Sequence, residues 1–330
     1  FLIFFTLLSI AFTVALGFSS KNIFFALVCF ALANFGCQEA IIFYNAMMTR
    51  VVSRGKIGLV SGVGRMFGYT GALLALYFTK PIILKMGYEV TFILTGALFL
   101  IFSLPCLIFV KDKDTENPEE APREKESRNI FTRLKATIMD NELKEFKDLL
   151  KASFFVLCVV HTVILFMSVY ATRAFGLNEA QIINLIAFST LFAIGGSILS
   201  GLLSDRLGYR RSLVGVFFLW GLSILAGTLL RAPFYWLVGA LAGLSLGGTW
   251  VILRALVIKL VPEEKIGEAF GIFNLVSYAA GVIGPLIWGV MLLFCSRFGE
   301  WGYRLTFLSQ MPFIIIGIYF LLKSQKTLKE

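Results

Sequence analysis

Ten continuous apolar runs divide the chain, at 1–18, 22–48, 58–79, 90–110, 151–172, 180–203, 212–230, 234–258, 266–294 and 302–322. Most reach the roughly 20 residues that cross the hydrocarbon core of a bilayer as a helix. A transmembrane barrel would instead alternate apolar and polar positions over about ten residues. The pattern therefore predicts an all-α polytopic membrane protein. Charge, Gly and Pro punctuate the runs, among them Lys80-Pro81 and Arg231-Ala232-Pro233. One long polar stretch, 112–150, interrupts the series after the fourth run. It opens acidic and Pro-containing, as a solvated linker should. It then sets Ile130, Leu134 and Ile138 at helical spacing among Lys and Arg. A helix over 129–150 is expected, lying along the membrane surface or serving as a plain soluble linker.

An internal repeat organises these runs. Lys56-Ile57-Gly58 recurs as Lys265-Ile266-Gly267, an offset of 209 residues. At that offset Ala31-Leu32-Ala33 meets Ala240-Leu241-Ala242, Ala46 meets Ala255, and Tyr69 meets Tyr278. Gly58-xxx-Gly62 returns as Gly267-xxx-Gly271, a spacing of small residues that lets helices approach closely. Two related halves in the same orientation explain such a gapless match. The first four runs pair with the last four, which leaves the fifth and sixth without partners. A twelve-helix plan follows, with ten helices present (4 + 6) and two expected ahead of Phe1. The expected division is an N-terminal helical half at 1–111, a linker at 112–150 and a six-helix half at 151–330.

Composition agrees with burial in lipid: 58% of residues are hydrophobic and 15% charged, with a mean hydropathy of +0.84. The five cysteines, Cys29, Cys37, Cys106, Cys158 and Cys295, lie in or beside apolar runs and read as packing residues. A single histidine and the absence of CxxC or HxxxH spacing give no metal site. No GxxxxGK[ST] nucleotide loop occurs, and no cofactor is expected. The net charge of +10 does not point to nucleic acid, because the basic residues sit between apolar runs. Counted on alternate sides, 21 Lys and Arg face 7. By the positive-inside rule the linker, the 201–211 segment and the C-terminus are cytoplasmic.

That segment, Gly201-Leu202-Leu203-Ser204-Asp205-Arg206-Leu207-Gly208-Tyr209-Arg210-Arg211, is a short charged turn between two apolar runs. It resembles the G-x-L-x-D-R-x-G-R-[KR] loop signature of the major facilitator superfamily, departing only at Tyr209. Phe43-Tyr44-Asn45-Ala46, Val60-Ser61-Gly62 and Gly68-Tyr69-x-Gly71 resemble the vacuolar amino-acid effluxer-like branch and its prokaryotic relatives. Leu253-Arg254-Ala255, Val261-Pro262-Glu263, Phe270-Gly271 and Gly284-Pro285-Leu286 extend the likeness through the second half. Where that branch has a Pro soon after Asn45-Ala46, this chain has Met47-Met48-Thr49. The resemblance implies a multi-pass secondary transporter that alternates access to a midplane site. It implies a small-molecule substrate with proton-coupled amino-acid efflux, and a monomer in the lipid bilayer.

Within that expectation the intramembrane polar residues are the candidate site. Glu39 lies eleven residues before Arg50, roughly 16 Å deep at 1.5 Å per residue. Arg65 lies nine residues after Lys56, roughly 13 Å deep. The two could pair on consecutive helices. Two readings stand: a proton or substrate-ammonium site at Glu39 with Arg65 as its partner or a carboxylate anchor, or an ion pair that only locks helices. Arg254 either snorkels to the surface or faces the cavity, where the repeat sets it opposite Asn45. His161 falls near mid-run and reads as packed or as a proton relay. Gln38, Asn34, Tyr44, Tyr170, Asn274 and Tyr278 complete the expected cavity lining. The repeat places Asp205 near the helix start at Gly58 to Gly62, a cytoplasmic gate with Gly201, Arg206, Gly208, Arg210 and Arg211; the alternative is a positive-inside anchor, which accounts for the arginines but not for Asp205. No nucleophile–base pair or metal cluster suggests an enzyme. The competing class is a receptor or scaffold that kept the fold without transport.

Overall fold

The computed structural model describes residues 1–19, 22–52, 55–109 and 143–326. Ten α-helices carry almost all of them: α1 (Leu2–Leu16), α2 (Ile23–Val51), α3 (Ile57–Phe109), α4 (Lys144–Phe175), α5 (Glu179–Leu207), α6 (Tyr209–Leu229), α7 (Tyr235–Leu260), α8 (Ile266–Cys295), α9 (Glu300–Leu308) and α10 (Met311–Lys326). Short 3-10 turns precede and follow α8. No strand occurs among the described residues. Eight stretches are long and apolar enough to span a membrane, and Leu2–Leu16 is a shorter apolar helix. Large apolar side chains such as Phe24, Phe30, Leu229 and Leu293 are exposed. In water such a surface would drive aggregation; against acyl chains it is solvated.

Several boundaries differ from the sequence reading. Lys80-Pro81 does not end a helix, because α3 continues to Gly87, whose φ of +82° breaks it into two limbs. Only glycine takes that conformation cheaply, which places the break there. The run at 302–322 is divided by Ser309 and Gln310 into α9 and α10. Pro312 lacks an N–H and clashes with a preceding turn, so it suits the start of α10 and cannot continue α9. The helix expected over 129–150 falls mostly outside the described residues. Its described end, from Lys144, is the opening of α4 itself and not a separate element. The charged turn is mostly helix: α5 runs through Asp205 and Arg206 to Leu207, and Gly208 alone, at φ +93°, joins it to α6.

Contacts group the chain into two compact units, Phe1–Met48 with Leu74–Ala136, and Thr49–Leu73 with Thr137–Glu330. In the first unit, Ser9 donates to the Ala33 carbonyl at 2.9 Å, tying α1 to α2. Gly36 lets the α1 backbone come close, since a Cβ there would lie 2.8 Å from the Ser9 nitrogen.

The second unit is held by small residues. Gly239, Gly243 and Gly247 line one face of α7 and meet Leu185, Ser189 and Ala193 of α5. A Cβ on Gly243 would stand 2.1 Å from the Ser189 carbonyl oxygen. This spacing of four replaces the hydrophobic drive that lipid abolishes with close backbone contact. The Trp220 indole donates to Thr249 at 2.9 Å and ties α6 to α7. At the opposite end from the charged turn, Arg304 is buried on α9. It donates to the carbonyls of Ala174 at 2.7 Å, Thr228 at 3.0 Å and Leu230 at 2.6 Å. It thereby satisfies carbonyls at the ends of α4 and α6 that have no intrahelical partner. Glu300 accepts from its Nε at 3.0 Å.

The α5–α7 contact yields a direct test. Gly243→Val should destabilise the protein by about 1–3 kcal/mol through overpacking, seen as a melting temperature lowered by several degrees in detergent. Gly289→Val, where a Cβ meets nothing within 4 Å, should melt like the parent.

Candidate functional site

The first turn of α3 begins with amide groups that have no carbonyl to bond within the helix. Asp205, on the last turn of α5, fills this need. One carboxylate oxygen accepts from Gly58 N–H at 2.9 Å and the other from Leu59 N–H at 2.8 Å. The Tyr209 hydroxyl donates to Asp205 and accepts from Gly58 N–H at 3.3 Å. A carboxylate at a helix N-terminus is favoured both by the free amides and by the helix dipole. Glycine makes the approach possible: a Cβ on Gly201 would lie 2.5 Å from the Gly58 carbonyl oxygen. Gly62 packs in the same way on the Ser197 carbonyl, at 2.5 Å. The second copy of the spacing behaves differently, as Gly267 and Gly271 meet nothing within 4 Å.

The arginines of this segment separate by role. Arg206 and Arg211 are exposed, while Arg210 is half-buried and paired with Glu145 at the start of α4. Lys259 places its ammonium 4.7 Å above the Tyr209 ring, adding a cation–π contact to the same corner.

Less than one turn along α3 from Gly58, at Ser61, Arg254 of α7 makes a second tie. It is 9% exposed and donates from Nη2 to the Ser61 carbonyl at 2.8 Å. Ser61 in turn donates to the Val251 carbonyl at 3.0 Å. Arg254 thus binds neighbouring backbone and does not reach outward as a snorkelling side chain would.

Beyond Arg254 lies a cluster of aromatic and cationic groups. The Arg65 guanidinium stands 5.1 Å from the Tyr69 ring centroid and 5.1 Å from that of Trp250. Trp250 meets the His161 ring edge-on at 6.1 Å. His161 Nε2 and the Ser277 hydroxyl are hydrogen-bonded at 3.1 Å. Arg65 and His161, proposed separately from sequence, are therefore connected through Trp250. A cavity of about 200 Å³ opens beside them, lined in part by Tyr69, Ile164, Met167, Trp220 and Leu246.

The remaining candidates lie elsewhere. Asn274 is half-buried and Tyr278 exposed on α8, and neither lines this cavity. Tyr170 is buried in α4 and donates to the Gly227 carbonyl at 2.7 Å, a structural tie. Gln38, Glu39, Tyr44 and Asn45 belong to α2 in the first compact unit. Gln38 and Glu39 are half-buried, Asn45 is buried, and Asn34 is exposed. Tyr44 lines a second cavity of about 260 Å³ with Thr6, Cys37, Phe99 and Ser103. Glu39 and Arg65 fall in different units, so their pairing is a feature of neither. Among the described residues no group of His, Cys, Asp and Glu is placed to hold a metal ion.

The sequence profile of the Major Facilitator Superfamily matches residues 1–177 and 149–330. The chain belongs to the Major Facilitator Superfamily. It is a multi-pass membrane protein of a transporter family. An uncharacterized protein of Aquifex aeolicus is 27% identical over 97% of this chain and 78% of its own length. The MFS-type transporter YxiO of Bacillus subtilis is 25% identical over 95% of this chain and 76% of its own. Among solved structures, the human organic anion transporter MFSD10 aligns with a TM-score of 0.76 at 14% identity, covering 96% of this chain and 75% of that one. The Escherichia coli fucose:proton symporter FucP aligns at 0.68 with 15% identity, covering 98% and 82%. At such identities these structures establish the fold alone.

The Arg254 tie can be tested directly. Arg254→Met removes a charge-assisted bond to the Ser61 carbonyl and should cost about 1.5–3 kcal/mol. The expected result is a lower melting temperature in detergent, with helix content by far-UV circular dichroism unchanged.

Proposed function

We propose that this major facilitator protein is a secondary transporter that moves a small solute by alternating access. In this reading Asp205 is a latch that closes the cytoplasmic side. The observation that carries it is the pair of bonds from Gly58 N–H and Leu59 N–H to Asp205. By the internal repeat, α3 belongs to the N-terminal half at 1–111 and α5 to the half at 151–330. Contacts nevertheless group Thr49–Leu73 with the C-terminal helices. A grip across the two halves at one membrane face, released and remade in each cycle, is what alternating access requires. The positive-inside count supports a cytoplasmic location for this face, with the linker and C-terminus on the same side.

Glu39 is the proposed proton-coupling residue, set half-buried in α2. The cargo class taken from the family resemblance is amino acids or related metabolites, moved outward. Arg65, Tyr69 and His161 are proposed to line the pathway of that cargo, and the protein is proposed to work as a monomer. A receptor that kept the fold without transport is the alternative, and substrate counterflow in proteoliposomes separates the two.

The latch predicts a hydrogen-exchange result. The amides of Gly58 and Leu59 have no intrahelical acceptor, so their protection reports the bonds to Asp205, which Gly58 shares with the Tyr209 hydroxyl that Asp205 holds. Asp205→Asn should speed their exchange about ten- to a hundredfold, the equivalent of one charge-assisted bond. Unchanged exchange across 57–60 would remove the latch. For coupling, Glu39→Gln should abolish the pH dependence of counterflow while leaving the melting temperature near that of the parent. Retention of the parent's pH profile would exclude Glu39 as the coupling site.

A further inference from the structure

The Arg65 cluster carries a surplus of donors. Arg65 Nε, the Tyr69 hydroxyl and the Trp250 indole N–H are each buried without a hydrogen-bond partner among the described residues. All three belong to one stack, with the guanidinium 5.1 Å from both ring centroids. Buried donors are ordinarily paired, and in an apolar surround leaving three together unpaired is costly. The ion pairs described in this unit join Lys151 to Asp148, Arg210 to Glu145 and Arg304 to Glu300, and none includes Arg65. What the cluster lacks is an acceptor bearing negative charge.

The adjoining cavity, which shares Tyr69 with the stack, has the opposite character. No charged side chain occurs among its described lining residues. Of its hydroxyls, Ser189 donates to the Leu185 carbonyl at 2.7 Å and Thr190 to the Ile186 carbonyl at 2.8 Å, so both protons are engaged within α5. Ile164, Met167, Trp220 and Leu246 supply apolar wall. Its volume is about 200 Å³, and a cavity of about 150 Å³ already admits benzene.

We propose that Arg65, with Tyr69 and Trp250, binds the carboxylate of a small apolar acid whose single ring occupies this cavity. The assignment rests on the alternating-access reading above and replaces its amino-acid cargo with a ring-bearing acid, since no acidic side chain among the described lining residues would meet an ammonium. Arginine fits the role because its planar fork binds both oxygens of a carboxylate while its face stays stacked on aromatic rings. One guanidinium matches one negative charge. His161, on the other side of Trp250, is hydrogen-bonded to Ser277.

The test uses full-length protein in detergent, with isothermal titration of benzoate, cyclohexanecarboxylate, benzamide and benzylamine, and counterflow of the same compounds in proteoliposomes. Both acids should bind, and the neutral and cationic analogues should bind at least about tenfold more weakly. Arg65→Gln should weaken benzoate binding at least about tenfold, and Arg65→Lys should fall between, since an ammonium cannot form the fork. Ligand-free melting and monodisperse elution establish that each variant is folded. The analogue comparison on unaltered protein stands even if a variant is not. Equal binding of benzamide or benzylamine, or undiminished binding by folded Arg65→Gln, overturns the assignment. So does failure of the acids to bind while an amino acid, sugar or amine shows counterflow, and in that case the transport reading survives. Acids that bind with the expected dependence on Arg65, without counterflow of any solute, support the site and overturn transport instead.

Discussion

A polar group surrounded by hydrocarbon has no water to bond, so its partner must come from the protein. Most of the specific contacts in this molecule answer that demand. The open amides at the start of α3 are met by Asp205. The open carbonyls at the ends of α4 and α6 are met by Arg304. Both ions are placed where a helix end already carries partial charge of the opposite sign, so the dipole and the hydrogen bonds act together.

The same condition governs how helices pack. Lipid tails are as apolar as Leu, so association draws on close fit and interhelical bonds. That explains why glycines mark two close contacts: Gly239, Gly243 and Gly247 where α7 meets α5, and Gly58, Gly62 and Gly201 where α3 meets α5. The first set has no charge at its heart and suits a permanent seam. The second is crowned by an aspartate whose bonds can be exchanged for water at a membrane face. One packing rule thus serves both contacts.

The rule is left unmet at several side chains, Trp288 and Gln310 among them, and the stack of Arg65, Tyr69 and Trp250 gathers three such groups in one place among the described residues. Elsewhere in the second unit a buried cation has backbone to bind, as Arg254 does at Ser61.

Much of this was legible in the chain itself. Continuous apolar runs fix helices because a backbone in lipid must close its own hydrogen bonds. The Asp205 contact was also readable, since an acid in a short connection and a Gly-xxx-Gly helix start are complementary in charge and shape. Helix ends were less so: Gly87 ends a limb where Lys80-Pro81 suggested a stop, and Pro312 divides a run that hydropathy shows as one. Trp250 and Arg304 escaped notice because their roles depend on neighbours distant in sequence. Trp250 bridges Arg65 and His161, and Arg304 reaches carbonyls more than seventy residues away. The sequence by itself determined the helices, their lipid-facing character and the complementarity of the latch, all set by local chemistry and spacing. Tertiary structure alone decided which buried polar groups were satisfied and which were left without a partner, because that depends on groups brought together only when helices pack.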